Sequence, residues 1–174
     1  MAEVALVGRS NVGKSSLINA LVRQRLARTS AAPGKTRLAN IYRVVRGGRP
    51  PMYLVDLPGY GYARGDTRDF ERITRDLLDA GARGSSRAAS ALLLVDARHP
   101  GLDNDVAAWT WLSQTVARSA VVATKIDKLS RAERQRAMNR FDAVFQAPVA
   151  AVSAETGEGL EDLWKLIDRL TKSA

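Results

Sequence analysis

The 174-residue sequence has no cysteine and a single histidine, His99. Disulfides, thiolate metal sites and a cysteine nucleophile are therefore excluded, and the composition is compatible with a reducing cytoplasm. Long apolar runs are also missing. None approaches the ~18 residues of a membrane span, and no basic-then-apolar signal pattern opens the chain, so a cytoplasmic protein with no membrane attachment is expected. Acids are scarce in one place only. Residues 1–50 hold ten basic side chains against one acid, Glu3, whereas the remaining 124 hold seventeen of each sign. The formal charge of +9 thus belongs to the first part of the chain. A basic surface over residues 23–49 (Arg23, Arg25, Arg28, Lys35, Arg37, Arg43, Arg46, Arg49) suits a partner with a phosphate backbone. The plain alternative is a solvated face in an Arg-rich chain.

What is present fits one compact domain over 1–174, with 45% apolar and 26% charged residues. Periodicity predicts strands at 3–7, 38–45, 52–56, 91–96, 120–124 and 148–152, and helices at 14–23, 67–80, 103–117, 130–145 and 160–171. The 38–56 pair reads as a hairpin around Arg46-Gly47-Gly48-Arg49. The rest alternates strand and helix, giving a mostly parallel six-stranded α/β sheet with one antiparallel edge hairpin and helices on both faces. Trp164 falls on the apolar stripe of the last helix and is expected in the core. His99 reads as a loop residue, and Arg131, Arg134, Arg136 and Arg140 as a solvated helix face.

The strongest pattern is Gly8-Arg9-Ser10-Asn11-Val12-Gly13-Lys14-Ser15, with Ser16 following, placed between a strand and an amphipathic helix. Small residues let consecutive backbone N–H groups converge on phosphate oxygens, and the helix aims its positive end at them. Lys14 would reach the β- and γ-phosphates and the Ser15 hydroxyl would coordinate Mg²⁺. Thr124-Lys125-Ile126-Asp127, with Lys128 next, ends a buried strand and fits a guanine-reading loop. The Asp127 carboxylate can accept from guanine N1–H and its exocyclic amine, a donor pair adenine lacks. The Lys125 stem can lie along the purine. Ser153-Ala154-Glu155 reads as the last base-contacting loop. Asp56-Leu57-Pro58-Gly59 supplies Asp56, which would hold Mg²⁺ through water, and the Gly59 amide, which would sense the γ-phosphate. Gly34, Lys35 and Thr36 form a switch loop in which Thr36 completes the Mg²⁺ shell.

GRSNVGKS at 8–15, PGKT at 33–36, DLPGYGYA at 56–63, LLVDARHP at 93–100, TKIDK at 124–128 and SAETGEG at 153–159 resemble the EngB (YsxC/YihA) GTPases. These are bacterial GTPases of the three-layer P-loop fold. The resemblance covers nearly the whole chain and implies GTP/GDP and Mg²⁺ as ligands, a role in large-subunit (50S) ribosome assembly and cell division, and the 50S precursor with its rRNA as partner. A monomer off the ribosome is expected. Family members usually carry a segment before the first strand, which is absent or trimmed here, and the Gly/Ser/Arg-rich stretch 81–87 matches no signature.

The expected reaction is Mg²⁺-dependent GTP hydrolysis by in-line attack of water. Tyr60 stands where Ras-type GTPases carry a water-orienting Gln, so turnover should be slow unless a partner or cation assists, with Lys14, Thr36 and Gly59 as transition-state contacts. Asn11 resembles the K⁺-ligating Asn of cation-activated GTPases such as MnmE and is a candidate K⁺ ligand. Tyr60 and Tyr62 are candidates for base stacking with RNA. Two rivals stand beside this reading. One is a P-loop kinase or ATPase, against which the base-reading loops speak. The other is a GTP-regulated protein–protein switch not linked to ribosomes.

Overall fold

The computed structural model describes residues 2–23, 39–60 and 90–172. Among them, β1 (Ala2–Gly8), β2 (Asn40–Val44), β3 (Met52–Asp56), β4 (Ser90–Asp96), β5 (Arg118–Thr124) and β6 (Val149–Ala151) form one sheet of order β2-β3-β1-β4-β5-β6. Only β2 and β3 run antiparallel; β1 pairs in parallel with β3 and β4, β4 with β5, and β5 with β6. The central strands are near-continuous apolar runs because both of their faces are covered. Val4, Leu6, Leu92, Leu94 and Val122 are buried on one face, and Val7, Leu93, Val95 and Val121 on the other. Truncating one such side chain, Leu92→Ala for example, costs about 2–5 kcal/mol.

Helices α1 (Lys14–Val22) and α4 (Leu160–Thr171) cover the first face, through Leu17, Ile18 and Leu21, and Leu163, Leu166 and Ile167. The second face lies under α2 (Asp103–Thr115) and α3 (Arg131–Phe145), through Ala108, Leu112, Phe141 and Phe145. The expected three-layer architecture is thus present. The helix predicted over 67–80 lies outside the described residues. The one predicted over 103–117 stops at Thr115, because Val116 turns to an extended conformation and buries its side chain in the sheet. Trp164 sits at the rim rather than in the centre: it is half-buried, with the Arg46 guanidinium 3.9 Å above its ring.

The chain leaves β1 toward β3 on one side and later returns to β4 on the other, which makes the carboxyl end of β1 the topological switch point. The loops after β1, β3, β4, β5 and β6 all gather at that edge.

Candidate nucleotide-binding site

The phosphate loop runs from Gly8, the last residue of β1, to Lys14, the first of α1. Two residues in it adopt left-handed backbone, Asn11 (φ 63°) and Gly13 (φ 107°). Asn tolerates that region better than most side chains, and at Gly13 a Cβ would be strained whatever the space. Helix α1 begins with no side-chain cap and no acid in its first turn. The other three described helices place acids there: Asp103 and Asp105 in α2, Glu133 with its Ser130 capping box in α3, and Glu161 and Asp162 in α4. The positive end of α1 alone lacks a protein anion, so its N–H groups suit an external one.

Lys14 is buried and donates from Nζ to the Gly8 carbonyl at 3.2 Å. Burial lowers its pKa, and the Asp56 charge partly restores it. Asp56 responds in the mirror sense, raised by burial and pulled back by Lys14. Its Oδ1 is buried without a hydrogen-bond partner. An orphaned carboxylate oxygen is costly unless something else satisfies it, and here it stands beside the phosphate loop. A hydrated Mg²⁺ fits this donor set.

Beyond Asp56 the chain packs directly on the phosphate loop. The Ser10 N–H donates to the Tyr60 carbonyl at 3.2 Å, and Arg9 pairs with Tyr60 as an isolated bridge. A Cβ on Gly59 would lie 2.8 Å from the Ser10 nitrogen, so only glycine permits the approach. The Tyr60 side chain is buried and its hydroxyl donates to Asp105 Oδ1 at 2.7 Å. This corrects the expectation of base stacking by Tyr60, whose ring is not on the surface. Tyr62 and the switch residues Gly34, Lys35 and Thr36 lie outside the described residues.

The base side is held more tightly. The Thr124 hydroxyl donates to the Val12 carbonyl at 2.8 Å, and Lys125 Nζ to the Asn11 carbonyl at 2.7 Å. Two adjacent residues of one loop thus grip two adjacent carbonyls of the other. Lys125 Nζ also meets Asp96 Oδ2 at 3.1 Å, while Arg98 chelates both oxygens of Asp96, at 2.9 and 2.7 Å. Burial alone would raise the Asp96 pKa; the bonds from Arg98 and Lys125 outweigh it and hold the carboxyl down to about 2. Asp127 accepts from the Ser153 hydroxyl at 2.7 Å and faces Lys128 Nζ at 3.1 Å. The Ser153 bond is the main reason its pKa is lowered. Ser153 is fully buried and also accepts from the Glu155 and Thr156 amides, while Lys128 pairs with Glu155 at 2.9 Å. A cavity of about 500 Å³ opens here, lined by Gly13, Ser16, Lys125, Asp127, Ala154 and Glu155 among others.

Every described residue of the predicted loops therefore lies at this one edge. Sequence reasoning overlooked Asp96 and Arg98, of which Arg98 also lines the cavity, and the buried Asp105. Their signal was faint: an Asp-x-Arg at a strand end reads as a turn, and an acid in a first helical turn as dipole chemistry. Arg134 needs correction as well, since it bonds Glu158 and donates to the Ile126 carbonyl instead of simply facing solvent. So does Arg46, which pairs with Asp168 and stacks on Trp164, leaving the basic surface smaller. Arg23, Arg43 and Arg49 are exposed. Among the described residues, no helix is long and apolar enough to cross a membrane.

A phosphate loop at the switch point of a mostly parallel sheet, with a base pocket braced against it, defines a P-loop GTPase. Residues 3–146 match the family described as 50S ribosome-binding GTPase. The probable GTP-binding protein EngB of Pelotomaculum thermopropionicum is 43% identical over 172 residues, covering 96% of this chain and 84% of the relative. The EngB of Heliobacterium modesticaldum is 42% identical over 174 residues, covering 97% and 82%. A crystal structure of a probable GTP-binding protein EngB superposes with a TM-score of 0.69 at 25% identity, covering 98% of each chain. The G domain of Era, crystallised with MgGDPNP and nucleotides of 16S ribosomal RNA, shares the fold, with a TM-score of 0.82 at 21% identity over 99% of this chain and 57% of Era. The chain belongs to the EngB group of the 50S ribosome-binding GTPase family. It binds guanine nucleotides and hydrolyses GTP.

Proposed function

We propose that the chain acts as one G domain, a slow Mg²⁺-dependent GTP switch in assembly of the large ribosomal subunit, monomeric when off the ribosome. The observation that carries its nucleotide half is the frame around Asp127: a base-facing carboxylate whose loop is bonded to the phosphate loop at Val12 and Asn11. Asp127 would read the guanine edge, with Lys125 along the purine and Ser153, Ala154 and Glu155 closing the pocket. Lys14 and the N–H groups of Gly8 to Ser16 would hold the phosphates. Ser15 and Thr36 would hold Mg²⁺ directly and Asp56 through water, the ion supplying charge neutralisation between the phosphates. Gly34 and Lys35 would carry Thr36 to the nucleotide, and Lys128 would brace Asp127. Gly59 is positioned to report the γ-phosphate.

Tyr60 offers no amide to orient water, so hydrolysis by the isolated protein should be slow. Asn11, in left-handed backbone at the loop's exposed rim, is the candidate K⁺ ligand. Faster turnover in K⁺ than in Na⁺ is expected, and equal rates would remove that role. The ribosomal half of the proposal is supported by the family description and by the exposed Arg23, Arg43 and Arg49. It is tested by sedimentation with 50S precursor particles, where association should be favoured by a GTP analogue over GDP. The second reading, a protein-directed switch not linked to ribosomes, draws on Ile41 and Val45, both 62% exposed beside Arg43. It would prevail if particles failed to retain the protein in either nucleotide state.

A further inference from the structure

Asp105 is a carboxylate sealed in the first turn of α2, 2% exposed, and nothing in the nucleotide chemistry uses it. Its Oδ1 accepts from the Tyr60 hydroxyl at 2.7 Å, across 45 residues of sequence. The Arg9 charge acts on both groups, lowering the pKa of each against a larger upward push from burial. Tyr60 is fixed at both ends. Its side chain is tied to α2, and its carbonyl accepts from Ser10 of the phosphate loop at 3.2 Å. Between these two anchors and Asp56 lies Gly59, packed so tightly on Ser10 that a Cβ would stand 2.8 Å from its nitrogen. Side-chain bonds of this kind, out of water and to a charged acceptor, are among the stronger ones a fold can make.

We infer that Asp105 is a positioning residue for the GTP state: through the Tyr60 hydroxyl it holds the Gly59 amide against the phosphate loop, where a γ-phosphate would be met. The inference rests on the reading of Gly59 as γ-phosphate sensor. In this arrangement the chain has replaced a water-orienting side chain by an anchor. GDP does not reach Gly59, and its affinity comes from the base loops and from Lys14. Loss of the anchor should therefore act on one nucleotide and spare the other, because only the liganded state that engages Gly59 gains from having it pre-placed.

The test measures affinities of the full chain for GDP and for a non-hydrolysable GTP analogue, with Mg²⁺ present. Tyr60→Phe keeps the ring and removes only the hydroxyl; Asp105→Ala removes the acceptor; Asp105→Asn keeps an acceptor of the same shape. Tyr60→Phe and Asp105→Ala should each weaken the GTP analogue by about tenfold, with GDP within about twofold of the parent. Combining them should cost little more than either alone, since both break one bond. Asp105→Asn should restore most of the analogue affinity. Should Asp105→Ala fail to fold, Tyr60→Phe and Asp105→Asn still decide the matter. Parallel losses for both nucleotides would reduce Asp105 to a stability residue and overturn the inference, as would unchanged affinities in Tyr60→Phe. Failure of the parent chain to bind either guanine nucleotide would instead strike the reading on which the inference rests.

Discussion

The two halves of the nucleotide site are built on opposite plans. On the base side each polar group already has a protein partner: Asp127 has Ser153 and Lys128, Lys125 has Asn11 and Asp96, and Thr124 has Val12. On the phosphate side the polar groups are aimed and buried but incompletely matched. Asp56 Oδ1 has no hydrogen-bond partner, and α1 starts without a cap. A pre-bonded half loses little freedom when ligand arrives, so it can select a base by shape and donor pattern. A half with unmatched charge responds to the charge brought to it, which is what a switch must do.

Breaking the phosphate half should give the largest effect. Lys14→Ala removes the buried cation and leaves Asp56 without its counter-charge, so GTP affinity should fall by about 3 kcal/mol, on the order of a hundredfold. The fold should survive, since the stem of Lys14 sits at the sheet edge and not between the sheet and a helix. Isothermal titration with GDP and a GTP analogue, next to a melting curve, checks both statements; unchanged affinity would remove Lys14 from the site.

The base half should break more gently and without regard to nucleotide state. Asp96→Ala deprives Lys125 of one of two partners and frees Arg98, so GDP and GTP analogue should weaken together by about 1–2 kcal/mol. A change in their ratio would mean that the two halves are not independent. Asp96 also gives the comparison a pH signature. Its folded pKa of about 2 lies below the ordinary carboxylate value, so its contribution is present above about pH 4 and disappears as pH falls toward 2. Asp96→Asn should flatten the acid limb of the stability curve over that window; an identical limb would show that the Arg98 and Lys125 bonds are not formed in solution.

Much of this contrast was open to sequence reading, for physical reasons that differ by element. The central strands are apolar on both faces and announce themselves as short continuous runs, and the phosphate loop has few alternative uses for its spacing. Asp127 could be placed because its motif ends a strand. Asp105 could not, because its partner is chosen by the order of strands in the sheet, which brings the end of β3 beside α2 across 45 residues. Arg46 and Arg134 misled for the same cause: an Arg reads as solvated until the fold brings up an acid, Asp168 in one case and Glu158 in the other.

The smallest expected effect lies outside both halves, on the β2–β3 edge. Binding to 50S precursor particles should weaken as salt rises, and Arg43→Gln or Arg49→Gln should each lower the slope of log affinity against log salt by about one. Arg49 is the weaker test, because it also lies 3.7 Å from Asp168. Slopes that do not move would leave these side chains as a solvated surface.

The claim at the centre of the account is that Asp127, held by Ser153 and braced on the phosphate loop, selects guanine. Competition of GDP against xanthosine diphosphate tests it directly in the parent chain and in Asp127→Asn. An amide donates where xanthine presents a carbonyl, so the parent should prefer GDP and the variant should shift toward the xanthine nucleotide by about 1–3 kcal/mol. Affinities for both nucleotides that stay where they were would contradict it.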